Sequence, residues 1–281
     1  MIESINWYPG HMKKTRELIQ ENLKLVDIAV EVLDARIPVS SRNPSIDAIM
    51  GNKKRIVALN KSDLADQAEN VKWAESMGRK GLVAIPMNCM SGAGVPKFMK
   101  LLMSLLAEKN SGQQRKKPLR LMIVGVPNAG KSSLINRLTG RKSAMTGDRP
   151  GITKGKQWLN LTDGIQLLDT PGILWPKFED PKTGLNLAFC GAIKDEILDR
   201  ESLALELLTV LREKYPEMLI ERYKTDGIME SPAGDMEAIA RKRGFILPGG
   251  RIDYDRAGRT LLDEFRAGKI GRITLEPFEE I

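Results

Sequence analysis

Short apolar runs and stretches of helical spacing take turns along the first two thirds of the chain. Residues 26–34 (VDIAVEVLD), 55–59 (RIVAL) and 82–87 (LVAIPM) are brief and rich in β-branched residues, the pattern of strands buried within a parallel sheet. Apolar positions three and four apart predict helices over 9–23, 66–77 and 95–108. A polar, basic stretch at 110–118 (NSGQQRKKP) ends at Pro118 and reads as a connector. Residues 119–124 (LRLMIV) then predict a fourth strand, feeding Gly125 and a helix over 131–138. Residues 157–161 and 165–169 predict a hairpin closing toward Thr170-Pro171-Gly172. Strands alternating with helices imply an α/β layer with a mostly parallel sheet flanked by helices, its ligand loops at the carboxyl ends of the strands. Beyond Pro181 the strand signals fade. Helical spacing returns at 193–198, 202–213, 236–243 and 255–267, so the expected organisation is an α/β domain over 1–178 and a small α-helical domain over 179–281. No internal repeat is evident.

Composition narrows the function classes. The 281 residues carry a net charge of +8, and no apolar run approaches the length of a membrane span. The first residues lack the basic and apolar segments of a signal peptide. Cys89 and Cys190 are too far apart for a CxxC site, and His11 is the sole histidine, which excludes a disulfide framework and a multi-histidine metal cluster. These features predict a soluble, reduced, cytoplasmic protein with no membrane partner. No coiled-coil repeat or large apolar patch is evident, which favours a monomer.

The charge is uneven, with +12 over residues 1–175, −6 over 176–240 and +5 over 241–272. Charge runs are most often solvated helix faces. The stripe from Arg241 to Arg272, interleaved with Gly244, Phe245, Gly249, Gly250, Tyr254 and Gly258, also suits a surface that touches a nucleic-acid backbone.

The most informative segment is 125–132, GVPNAGKS, which matches G-x-x-x-x-G-K-[ST] between a predicted strand and a predicted helix. Glycines let successive N–H groups turn toward a phosphate, and the helix N-terminus adds a partial positive charge. Asn128, Ala129, Gly130, Lys131, Ser132 and Ser133 line such a loop. Lys131 supplies a cation to the β- and γ-phosphates, and the Ser132 hydroxyl is placed to ligate Mg²⁺. Asn60-Lys61-Ser62-Asp63, directly after the second strand, selects the base. An aspartate carboxylate accepts two bonds from the guanine N1–H and 2-amino group, whereas adenine leaves it unpaired, a mismatch of about 1–3 kcal/mol per lost bond. Asn60 is suited to tie this loop to the phosphate loop, and the Lys61 stem to cover the base. Asp169-Thr170-Pro171-Gly172 fits DxxG, with Asp169 on Mg²⁺ through water and the Gly172 N–H on the γ-phosphate. In the loop between them, Thr153 is the candidate hydroxyl that completes Mg²⁺ coordination. Asn88 and Cys89, after the third strand, occupy the place of a loop whose N–H meets guanine O6. GTP and GDP are thus the expected ligands.

The order of these motifs is unusual. NKxD at 60–63 precedes the phosphate loop at 125–132, and DxxG follows at 169–172. A circularly permuted sheet builds the same site, because domain termini usually lie close together. It also leads the switch loops toward the C-terminal domain.

With these motifs in that order, the sequence resembles the circularly permuted GTPases of ribosome assembly, in particular the ribosome biogenesis GTPase A (YlqF) type. WYPGHM (7–12), DARIP (34–38), NKSD, GVPNAGKS, Thr146–Thr153, DTPGILWPKFED (169–180) and GAIKD (191–195) carry the resemblance over nearly the whole chain. It implies a circularly permuted P-loop GTPase domain followed by a helical one, and GTP hydrolysis coupled to late maturation of the large ribosomal subunit. It also implies that the helical domain contacts ribosomal RNA. Ile173 stands where many GTPases carry a water-orienting glutamine, and the resemblance points to His11 for that task. Asn128 resembles the residue that ligates K⁺ in potassium-activated GTPases. Asn88-Cys89 replaces the usual Ser-Ala, and Ser133 a frequent threonine. The alternative reading, suggested by Ile173, is a guanine-nucleotide-dependent RNA-binding module with negligible hydrolysis.

Overall fold

The structure is a computed structural model, which describes residues 17, 20–42, 50–51, 53–140, 158–162, 164–168, 180–193 and 199–279. The described residues form two compact units. One takes those up to Leu168 together with 276–279, the other those from 180 to 275.

The first unit is built on a six-stranded sheet: β1 (Ile28–Asp34), β2 (Lys54–Asn60), β3 (Val83–Pro86), β4 (Leu119–Val124), β5 (Trp158–Thr162) and β6 (Ile165–Leu168). Its spatial order is β3-β2-β1-β4-β6-β5, and every pairing is parallel except the β5–β6 hairpin. Each of the six expected strands is present, with ends shifted by at most two residues and the fourth as expected. β1 is buried at every position, as a central parallel strand covered on both faces must be. Leu33, Val57 and Leu59 form one apolar cluster with Met77, and Ala29, Met122, Val124 and Leu168 form another with Leu23. The connecting helices are α1 (Gln67–Arg79), α2 (Val95–Asn110) and α3 (Lys131–Thr139). Asp66 caps α1 by accepting the N–H groups of Ala68 and Glu69. Residues 20–23 are helical, and the rest of the expected 9–23 helix lies largely outside the described residues.

The second unit is helical: α4 (Pro181–Phe189), α5 (Arg200–Lys214), α6 (Pro216–Tyr223), α7 (Pro232–Arg243) and α8 (Tyr254–Arg266). α5 packs against α8 and α7 through Leu203, Leu207 and Leu211. Asp180, Asp199, Ser231 and Asp253 cap four of these helices. Two helices escape the sequence pattern. In α4 Gly184, Asn186, Leu187, Ala188 and Phe189 are all buried, so no polar face marks the period; α6 has eight residues, too few for one. The helix expected at 193–198 lies, but for Ile193 in a bend, outside the described residues. The chain end beyond Leu275 was expected in the helical domain, but packs on the first unit. Glu276 accepts the N–H groups of Val39 and Ser40, and the Phe278 ring meets Trp73 edge-on at 5.4 Å. Among the described residues no helix is long and apolar enough to cross a membrane.

Candidate functional site

The chain runs outward from β1 to β2 and β3, then returns to lay β4 on the other side of β1. That reversal opens a crevice beyond the carboxyl ends of β1 and β4, where open α/β sheets bind ligands. β1 and β2 are in register residue for residue and finish together, Asp34 opposite Asn60. On the other side Glu31 pairs with Val124, which brings Gly125 alongside Val32. Gly125 has φ 151°, and a Cβ there would collide with the Val32 carbonyl oxygen. Close strand packing therefore demands glycine at the start of the phosphate loop.

Asn60 joins three loops. Its Nδ2 donates to the Ala129 carbonyl at 2.7 Å, and its Oδ1 accepts the Cys89 N–H at 3.0 Å, with the side chain 3% exposed. Gly130 opens α3 with φ 102°, and a Cβ there would run into Asn60 Nδ2. Among the described residues no side chain caps α3, so the N–H groups of Ser132 and Ser133 are left to face an anion. Lys131 donates to the Val126 carbonyl at 2.5 Å, which keeps the ammonium over the loop. Asn128 is exposed at the loop tip with φ 56°.

The base loop is pinned at each residue but one. Lys61 takes φ 58°, a left-handed conformation that costs a non-glycine residue about 1–2 kcal/mol. Its ammonium bonds Asp34 Oδ2 at 2.8 Å, an anchor that the motif itself does not announce. The Ser62 N–H donates to the Met87 carbonyl at 3.1 Å, and its carbonyl accepts from Asn70 Nδ2 at 2.8 Å. The Asp63 carboxylate is exposed and engages none of the described residues.

The third loop folds on itself. Asn88 Oδ1 accepts the N–H groups of Met90 and Ser91 at 2.8 and 3.0 Å, and Arg137 from α3 donates to the Cys89 and Met90 carbonyls. The Cys89 N–H, one of the two in the loop expected at guanine O6, is donated to Asn60, so a contact of this group with O6 shares or displaces that bond. Burial pushes the Cys89 thiol up to about 12 against the opposing charge of Arg137, which makes it inert as a nucleophile.

Under the base loop lies a buried ion cluster. Burial alone would raise the Asp34 carboxyl. The charges of Arg36 and Lys61 and their hydrogen bonds outweigh it and hold the group well below the usual carboxylate range. Asp34, Arg36, Arg137 and Asn70 were not singled out as site residues from sequence. Asp34 did carry a signal, a carboxylate at the end of a mostly apolar buried strand that also holds Glu31; Arg137 and Asn70 sit on helices with nothing local to mark them. His11, Thr153, Asp169 and Gly172 lie outside the described residues.

In the helical unit the basic stripe divides. Arg243 and Arg222 converge on Glu264, and Arg266 donates to the carbonyls of Ala188 and Phe189, so these cations hold the fold. Among the described residues Arg241 and Arg259 pair with Glu237 and Asp255 on their own helices, and both arginine side chains are more than half exposed. Arg251, Lys269 and Arg272 have no ion pair among the described residues.

Residues 120–223, from β4 to α6, match the family model described as "50S ribosome-binding GTPase". The chain is 45% identical to ribosome biogenesis GTPase A of Bacillus cereus, over 98% of this chain and 95% of that protein. It is 34% identical to the protein of the same name from Thermotoga maritima, over 99% and 96% of the two chains. The crystal structure of GNP-bound YlqF from T. maritima superposes with a TM-score of 0.67 at 30% identity, covering 95% of this chain and all of that one.

Proposed function

Since the chain belongs to the ribosome biogenesis GTPase A family, and is a GTP-binding, GTP-hydrolysing protein of ribosome assembly, we propose that its guanine site is the junction of the three loops joined by Asn60. In this reading Asp63 reads the guanine N1–H and 2-amino group. The turn 125–130 and the first turn of α3 hold the phosphates. The observation that carries it is the pair of Asn60 bonds, 2.7 Å to the phosphate loop and 3.0 Å to the third loop, beside an Asp63 carboxylate left open to solvent.

Mg²⁺ fits this donor set. The half-buried Ser132 hydroxyl, one residue past Lys131, is a hard oxygen ligand of the kind the ion takes. Asp169 and Thr153 would complete the set, and the bound ion would neutralise charge on the phosphates. Asn128, at the exposed loop tip, is the residue to offer an amide oxygen to K⁺. His11 is the group to orient the attacking water in place of Ile173. The family favours hydrolysis over the non-hydrolysing alternative.

The partner we infer is a late precursor of the large ribosomal subunit in the cytoplasm, met through ribosomal RNA by Arg241, Arg251, Lys269 and Arg272. Exposed ion pairs such as Arg241–Glu237 contribute little and are readily exchanged for phosphate contacts. Titration of fluorescent GDP against GTP, ATP and xanthosine nucleotides tests the base reading. Asp63→Asn should lose guanine affinity and gain xanthosine affinity, because its amide can donate where xanthine presents a carbonyl. A wild-type protein indifferent to guanine over adenine sinks the proposal.

A further inference from the structure

We propose that Asp34 is a positioning residue for guanine recognition: through Lys61 it sets the turn that presents Asp63 to the base. The inference rests on the guanine-site reading above and deepens it. Both Asp34 oxygens are filled. Oδ1 accepts the Arg36 N–H at 3.1 Å and Nε at 3.0 Å; Oδ2 accepts Arg36 Nη2 and Lys61 Nζ, each at 2.8 Å. Arg36 is 1% exposed and clamps the carboxylate from one side in a fixed, two-pronged grip, so Asp34 cannot turn to follow Lys61. The lysine must come to it. Because β1 and β2 end in register, Asp34 lies opposite Asn60, one residue before Lys61.

Lys61 has φ 58°, a conformation that a lysine keeps only where its surroundings hold it. That turn directs consecutive residues of one tetrapeptide to different tasks. Asn60 goes to the phosphate loop, Lys61 to Asp34, and Asp63 to solvent. The Ser62 backbone bonds fix the height of the loop and the Leu64 N–H closes on the Lys61 carbonyl at 2.9 Å, while the Lys61 side chain is directed by its ion pair with Asp34. Asp34 touches no nucleotide in this reading, and its effect passes through Lys61 and then Asp63.

The test is a double-mutant cycle of Asp34→Asn and Lys61→Met, read by the affinities of GDP and IDP. Inosine lacks the 2-amino group, so the GDP/IDP ratio reports Asp63 placement, whereas general loosening of the protein lowers both affinities alike. Asp34→Asn should reduce that ratio about fivefold or more in the Lys61 background and less than about twofold in the Lys61→Met background, the non-additivity expected of residues acting as a unit. Equal losses in both backgrounds, or a folded Asp34→Asn protein with the wild-type ratio, would overturn the inference. Asp34→Asn removes the carboxylate charge from beside the buried Arg36. Should that variant fail to fold, the cycle is run with Asp34→Asn/Arg36→Met, which removes both buried charges together. Wild-type protein that does not prefer GDP to ADP defeats the guanine reading itself, and is thereby distinct from failure of the Asp34 step alone.

Discussion

Replacing Asn60 separates the contribution of the loop junction from that of the motif around it. Asn60→Ala removes a donor to the Ala129 carbonyl and an acceptor for the Cys89 N–H, both made by a side chain 3% exposed. Each buried group left unpaired costs about 1–3 kcal/mol, so the pair costs about 2–6 kcal/mol. Stability measured by urea unfolding should fall by that amount. GDP affinity should fall at least about tenfold, since the phosphate and base loops then have to be ordered by the ligand. Asn60→Asp is the sharper variant. It keeps the acceptor for Cys89 but puts a carboxylate oxygen against the Ala129 carbonyl in place of the 2.7 Å donor contact. On this geometry the near-isosteric aspartate is the more damaging change, because burial of an unpaired charge is added to the lost bond. An Asn60→Asp protein as stable as, or more stable than, Asn60→Ala refutes the assigned amide orientation and with it the three-loop junction.

Other outcomes follow from the same structure. Gly125→Ala should be worse than an ordinary loop substitution, costing about 2 kcal/mol or more, because φ 151° and the Val32 carbonyl both oppose a Cβ; unfolding midpoints of Gly125→Ala and Gly112→Ala, the latter a site with open space, make the comparison. Phe278→Ala should destabilise the first unit by about 1–2 kcal/mol through loss of the Trp73 contact, seen as a lower urea midpoint. For Cys89 the folded thiol titrates at about 12. The unfolded chain releases its proton near ~8.5, so stability should fall as pH rises through that window, by up to about 1.4 kcal/mol per unit, and Cys89→Ala should flatten the slope.

The sequence by itself determined the strands and two motifs, the loop GVPNAGKS and the tetrapeptide NKSD, to which we assign the phosphates and the base. Those rest on local rules: β-branched runs for strands such as β1 and β2, glycine where the chain must turn tightly, and a carboxylate where guanine presents paired donors. The permuted order of the motifs is likewise read from the sequence, whereas the pairing of β1 with β4 is seen only in the structure. What the pattern missed locally were α4, whose buried face runs nearly all round, and α6, too short to show a period. Only the tertiary structure decided how the loops are held. That Asp34 ends level with Asn60 depends on the β1–β2 register, a relation between segments 26 residues apart that neither strand encodes alone. The grip of Arg137 on the Cys89 loop, the Asn70 bond to Ser62 and the return of Glu276 and Phe278 to the first unit are likewise long-range meetings of side chains. A motif names the atoms that face the ligand. The packing of distant segments fixes where those atoms stand, because a loop without its own periodicity takes its shape from whatever satisfies its buried polar groups.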